Sequence, residues 1–323
     1  MQARLFQSNQ SPQSSNATST NSELPVFVET LEYKRFVEFC EACRRDRYIG
    51  LCYGAPGVGK TLSAVHHSRI EKVVPLDRWS AEASDDLPID TVFFTPDVIN
   101  TPARIDVDIR QARSLVRSVV QRTTRTEQRS TLDALRSRDE TWQAEHREDR
   151  DYRPGHPPPL KPTYWETLKE YESKLLAVPD PTTLIIVDEA DRLSMSSLEQ
   201  LRSVFDKSGL GMVLIGMPGI EKRVARYPQL FSRIGFVHEF RPLSDANIQA
   251  LLEERWAPVG IHLPLLPPDP EVIAAVIRLT RGNFRLLVRL LTQMERVLAI
   301  NKLQTLSVDV VQTARENLVI GQA

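Results

Sequence analysis

Apolar residues fall into two patterns along this chain. Short unbroken runs recur at 48–53, 91–95, 184–188, 212–217 and 236–240. Runs of that length without alternation predict parallel strands covered on both faces. Between them the apolar positions recur at helical spacing. At 30–47 they are Leu31, Phe36, Phe39, Cys40 and Cys43, set among charged residues. Similar patterns predict helices at 60–71, 196–208 and 219–227. Strand alternating with helix predicts an α/β fold, a three-layer αβα sandwich around a parallel sheet.

Two stretches break this rhythm. Between the second and third strands, 111–143 reads as a charged helix and 164–176 as another. The segment YRPGHPPPLKP at 152–162 is a stiff, extended connector. So long a connection without structure is implausible, so an inserted helical arm is expected at about 121–163. After Arg241 no strand pattern remains. Helices are expected at 244–256, 270–280, 284–301 and 307–316, with Ser244 and Ser307 as N-caps. The expected organisation is a polar N-terminal tail at 1–25, a core at 26–240 and a small all-α domain at 241–323. Residues 7–22, rich in Ser, Gln, Asn and Thr, lack the apolar surface to offset the entropy of ordering.

Composition narrows the function classes. The 323 residues suit one large and one smaller domain. A net charge of −1 gives no global basicity, so any DNA site must be a local patch. Cys40, Cys43 and Cys52 are an odd count, expected as reduced thiols. Cys40 and Cys43 read as neighbours on one helix face, since no second pair completes a zinc site. No signal-peptide pattern opens the chain, and no apolar run approaches the ~20 residues of a membrane helix. A soluble cytoplasmic protein without membrane contact is expected.

The chemistry concentrates at two places. Gly54-Ala55-Pro56-Gly57-Val58-Gly59-Lys60-Thr61 matches G-x-x-x-x-G-K-[ST], between a predicted strand and a predicted helix. The glycines let the backbone wrap a phosphate, and the helix N-terminus adds positive potential. Lys60 supplies a point charge to the β- and γ-phosphates, and the Thr61 hydroxyl a magnesium ligand. Leu62 follows in the nucleotide-binding set. The apolar run at 184–187 then delivers Asp188 and Glu189 to the end of its strand. Asp188 suits the metal and Glu189 the activation of water. ATP and Mg2+ are the expected cofactors.

Arginines usually complete such a site, because charge gathers on the transferred phosphoryl group. Arg223, Arg226 and Arg233 follow the fourth strand. Arg233, just before the fifth, is the preferred finger, reaching a neighbouring subunit's nucleotide. Arg285, opening a later helix, is expected to fold back toward the γ-phosphate.

Taken in order, these motifs resemble a known group. With Leu214-Ile215-Gly216-Met217-Pro218-Gly219, Tyr227-Pro228-Gln229-Leu230-Phe231-Ser232-Arg233 and Gly282-Asn283-Phe284-Arg285, they are similar to the AAA+ transposition-helper ATPases TniB, TnsC and MuB. The resemblance runs over roughly 30–316. It implies an AAA+ P-loop NTPase core with a small all-α lid. It also implies ATP-dependent homo-oligomers, rings or helical filaments, on double-stranded DNA. Such assemblies recruit or activate a transposase alongside a target-selection protein, and hydrolysis promotes disassembly. Gly216 and Met217 depart from the pattern, because AAA+ proteins usually carry a polar residue there to position the lytic water. In this light Arg104, Arg110, Arg113 and Arg117 are candidate DNA-binding residues, with Arg122, Arg125 and Arg129 extending the run. Asp106 and Asp108 dilute the patch. The alternative is an AAA+ switch in secretion or signalling that binds protein and not DNA.

Overall fold

The computed structural model describes residues 27–71, 89–145, 162–253, 261–263, 269–316 and 318. The polar tail at 7–22 lies outside the described residues, as does the proline-rich connector except Pro162.

Helix α1 (Leu31–Asp46) leads into β1 (Ile49–Tyr53), and α2 (Lys60–Ser68) follows the glycine-rich loop. Then come β2 (Thr91–Phe94), α3 (Pro102–Val120), α4 (Arg122–Glu145), α5 (Pro162–Ala177) and β3 (Leu184–Val187). A 3-10 turn (Ala190–Arg192) precedes α6 (Met195–Ser208) and β4 (Gly211–Gly216). Short helices α7 (Ile220–Val224) and α8 (Pro228–Phe231) lead to β5 (Ile234–Glu239). The C-terminal helices are α9 (Asp245–Glu253), α10 (Pro270–Thr280), α11 (Phe284–Asn301) and α12 (Val308–Glu316). The five strands form one parallel sheet in the order β2-β3-β4-β1-β5.

The continuous apolar runs have a simple geometric reason. Side chains alternate across a strand, so a sheet covered on both faces needs apolar residues at every position. Ile49, Leu51, Ile185, Val187, Met212 and Leu214 face one core, under α3 and α6. Cys52, Leu184, Ile186, Val213 and Ile215 face the other, under α1 and α2. Burying each such side chain contributes roughly 1.5–3 kcal/mol. Cys40 and Cys43 lie buried with Cys52 in the second core as free thiols, and burial pushes the Cys43 thiol up to about 12.

Helix boundaries differ from the expectation at several ends, as where α2 stops at Ser68 rather than 71. The charged helix expected from 111 begins earlier, at Pro102, where the Thr101 hydroxyl accepts from Arg104 N at 3.2 Å. Its buried stripe is only Ile105, Ile109 and Val116, too sparse to stand out. The chain turns at Gln121, whose side chain donates to Leu175 O at 2.7 Å, and α4 packs along α5. The helix expected at 219–227 stops at Val224, shortly before the Tyr227-Pro228 step that disfavours helical backbone.

Helices α9 to α12 share a separate apolar core that includes Ile248, Val276, Leu287, Leu291, Met294 and Val311. The Ser244 and Ser307 hydroxyls accept from Asn247 N at 3.2 Å and Val310 N at 3.4 Å. Val28, ahead of α1, packs against this helical core. Among the described residues, no helix is long and apolar enough to cross a membrane.

Candidate nucleotide site

Strand register decides which loops meet. Tyr53 pairs with Gly216, and Val187 with Leu214, so β4 lies between β1 and β3. The glycine-rich loop leaves β1 and the Asp188-Glu189 pair leaves β3 at the same edge of the sheet. Together with α11 they border a cleft of about 690 Å³, lined by Gly57, Lys60, Thr61, Asp188, Glu189 and Arg285 among others. Leu62 also lines it.

The loop conformation needs its glycines. Gly57 has φ 81° and Gly59 φ 113°, backbone that side chains rarely adopt. Gly59 caps α2 without a side-chain hydrogen bond, which leaves the helix's first N–H groups for an anion. Lys60 is buried, and its ammonium donates to Gly54 O at 2.6 Å and Ala55 O at 2.9 Å. Burial lowers its pKa, while Cys52, Asp188 and Asp191 act in the opposite sense.

Asp188 is buried and oriented from two sides. Thr61 Oγ1 donates to its Oδ2 at 2.7 Å, and Glu189 N donates to its Oδ1 at 2.9 Å. A hydroxyl and a carboxylate in contact are hard oxygen donors, the set that suits magnesium. Glu189 stands at φ 50°, ψ 40°, a left-handed conformation costing on the order of 1–3 kcal/mol in a non-glycine residue. Its carboxylate pairs with Arg192.

The helical C-terminal part closes directly on the loop. Asn283 caps α11 by accepting from Leu286 N at 3.1 Å, and its amide donates to Pro56 O at 2.8 Å. Arg285 N donates to Gly57 O at 2.9 Å. A Cβ on Gly57 would stand 2.6 Å from Asn283 Oδ1, so only glycine permits this approach. Arg289, one turn beyond Arg285, lines the cleft as well. It is not among the expected site residues, although its i,i+4 spacing to Arg285 is visible in the sequence. Asp191 and Arg192 line the same cleft without being among the expected site residues, and Met217, expected only as a departure from the usual polar position, lines it too.

Other candidate residues lie elsewhere. Arg233 is at the opposite end of the sheet, where Ile49 N donates to its carbonyl at 3.0 Å. Its guanidinium forks onto Asp206 at 2.5 and 2.8 Å. Arg223 donates to the carbonyls of Asp191 and Leu193, tying α7 to the 3-10 turn. On α3, Arg104 pairs with Asp108 at 3.0 Å and Arg110 with Asp106 at 2.7 Å, both largely exposed. Arg113 pairs with Asp180 at 2.7 Å, and Arg117 donates to Leu176 O at 2.9 Å and Val178 O at 2.6 Å. These last two hold α3 against the segment entering β3.

Comparison with known proteins agrees with this geometry. Residues 43–224 match a family model described as AAA domain. A Staphylococcus aureus protein called "Potential ATP-binding protein" is 40% identical over 303 residues, which are 91% of this chain and 97% of that protein. The Haemophilus influenzae Mu-like prophage FluMu DNA transposition protein B is 30% identical over 113 residues, 32% of this chain and 36% of that protein. The structure of the Aeropyrum pernix ORC2 protein superposes with a TM-score of 0.50 at 15% identity, covering 94% of this chain and 72% of that one. That likeness speaks for the fold.

Proposed function

Because the chain belongs to the AAA domain family and is an ATP-binding AAA ATPase, we propose that it regulates DNA transposition by assembling on double-stranded DNA in its ATP state. The observation that carries the ATPase part is the Thr61–Asp188 contact at 2.7 Å beside the glycine-rich loop. It joins a hydroxyl and a carboxylate, the oxygen donors that a metal beside the phosphates would need.

The residues divide the work. Magnesium, when bound, would neutralise charge on the phosphates. Lys60 and the N–H groups opening α2 hold the phosphates. Thr61 and Asp188 would hold the metal. Glu189, next to them, orients the attacking water and takes its proton. Arg285 answers the γ-phosphate from the lid. Arg233 faces away from its own chain's cleft, so in this reading it serves a neighbouring subunit, and turnover is slow until subunits assemble.

The DNA and transposase part rests on the transposition-helper motifs. It is supported by the similarity to the FluMu transposition protein, which spans about a third of that protein. A second reading is an AAA switch acting on protein partners in secretion or signalling. Its support is that Arg113 and Arg117 are engaged within the chain, which leaves Arg104 and Arg110 as the exposed arginines of that helix.

Fluorescence anisotropy with labelled duplex DNA separates the two. Tight binding with ATP and weak binding with ADP is expected, falling steeply with salt and little affected by sequence. Charge reversal of Arg104 and Arg110 should abolish it while nucleotide binding persists. Equal, negligible DNA binding with either nucleotide favours the protein-partner reading.

A further inference from the structure

The end of β4 lacks the polar side chain that usually faces the γ-phosphate in this fold, and the structure accounts for the gap. A Cβ on Gly216 would stand 2.5 Å from Ile220 Cδ1 and 3.0 Å from Asp191 Oδ1. A side chain there would have to push the Ile220 methyl aside and crowd the Asp191 carboxylate. Met217, the next residue, carries only a thioether, a poor hydrogen-bonding group.

The space beside Gly216 is taken by Asp191, from the 3-10 turn after β3. Asp191 Oδ1 accepts from Met217 N at 3.1 Å, which pins the carboxylate to the end of β4. Among the described residues Oδ2 accepts no hydrogen bond, and the side chain lines the nucleotide cleft. Because β4 lies between β1 and β3, this carboxylate sits between the loop that carries Lys60 and the pair Asp188-Glu189. Its charge also reaches Lys60.

We propose that Asp191 is the water-positioning residue of this ATPase, filling from the turn after β3 the place that a side chain at the end of β4 would take. The assignment rests on the ATPase reading given above. In the reaction, water oxygen bonds to the γ-phosphorus as the bond from phosphorus to the bridging oxygen breaks. ADP leaves with that electron pair, and Glu189 takes one water proton. Asp191 Oδ2 accepts a hydrogen bond from the other water proton and turns the lone pair toward phosphorus. The short Met217 tether and the absent Gly216 side chain are both needed for this placement.

Asp191→Asn tests the assignment, because the Asn carbonyl keeps the Met217 N hydrogen bond while Oδ2 becomes a donor. Phosphate release and the KM for ATP are measured on the full chain with duplex DNA and Mg2+, beside Asp191→Ala. Both variants should lose kcat by about 10- to 100-fold, with KM within about threefold of the unmodified chain. If Asp191→Asn turns over at the unmodified rate, the carboxylate serves only to hold Met217 N, and the assignment fails. A raised KM with kcat retained would equally reject it, as a binding role. No phosphate release by the unmodified chain would overturn the ATPase reading itself, a distinguishable result.

Discussion

The side-chain amide of Asn283 donates to the carbonyl of Pro56 at 2.8 Å, so the helical C-terminal core is latched onto the phosphate loop. The same residue caps α11 with its carbonyl oxygen. Cap and latch are therefore two functions of one side chain. Asn283→Asp keeps the cap and loses the donor, whereas Asn283→Ala loses both. The alanine variant should lower stability by about 1 kcal/mol in urea unfolding, and the aspartate variant, which keeps the cap, by less. Both should weaken ATP binding, by about tenfold or more in titration calorimetry, because the latch is gone. Asn283→Asp with unchanged ATP affinity would show that the latch does not matter to nucleotide.

Lys60 is held by two loop carbonyls, and in the proposed site phosphate oxygens take their place. Lys60→Ala should lower ATP affinity by about tenfold or more, seen with a fluorescent ATP analogue. Thermal unfolding without nucleotide should shift little, since the lost bonds are to loop carbonyls that water can reach on opening. Unimpaired binding would mean the phosphates lie elsewhere.

Arg233 is paired with Asp206 on its own chain and lies at the far end of the sheet from its own cleft. Arg233→Ala should leave ATP binding intact and slow turnover, by about 10³-fold or more, in the assembled protein only. Mixing Arg233→Ala with Glu189→Gln protein should restore part of the turnover, because each supplies what the other lacks across the subunit boundary. No recovery in mixtures, measured by phosphate release, would remove Arg233 from that role.

Stability should fall in mild acid. Burial, then the nearby Arg44 charge, lowers the His67 pKa to about 4; among the described residues its buried Nε2 makes no hydrogen bond, with the Glu41 carboxylate 3.7 Å away. The unfolded chain takes up a proton near pH 6.5, which the folded chain resists down to about 4. Unfolding free energy should therefore drop as pH falls across that window, by about 3 kcal/mol from this group, and level off below it. Burial lowers the His238 pKa too, in the same sense. His67→Phe, which keeps the edge contact to Phe36, should flatten part of the pH dependence in urea unfolding. An unchanged slope would exclude His67 as its source.

The sheet was legible in the sequence because its central strands β1, β3 and β4 are buried on both faces, which leaves unbroken apolar runs, whereas the edge strand β5 alternates between half-buried and exposed positions. The phosphate loop was legible because its residue types are dictated locally, by positive φ at Gly57 and Gly59 and by a helix starting at Lys60. What escaped depends on contacts distant in sequence. Asp191 gains its place from the missing side chain at Gly216, on another strand. The spacing of Arg113 and Arg117 suggests one exposed helix face. Their engagement by Asp180 and the Val178 carbonyl appears only once α5 packs back toward β3. The start of α3 was hidden because three buried residues suffice to anchor nineteen.

The most direct test of the nucleotide site is Glu189→Gln, measured for ATP binding and phosphate release beside the unmodified chain. Glu189 N holds Asp188, and that backbone bond survives the substitution. The variant should bind ATP and Mg2+ as tightly as the unmodified chain and release no phosphate above background. Phosphate release at the unmodified rate would contradict the account, because the water would then be activated by some other group.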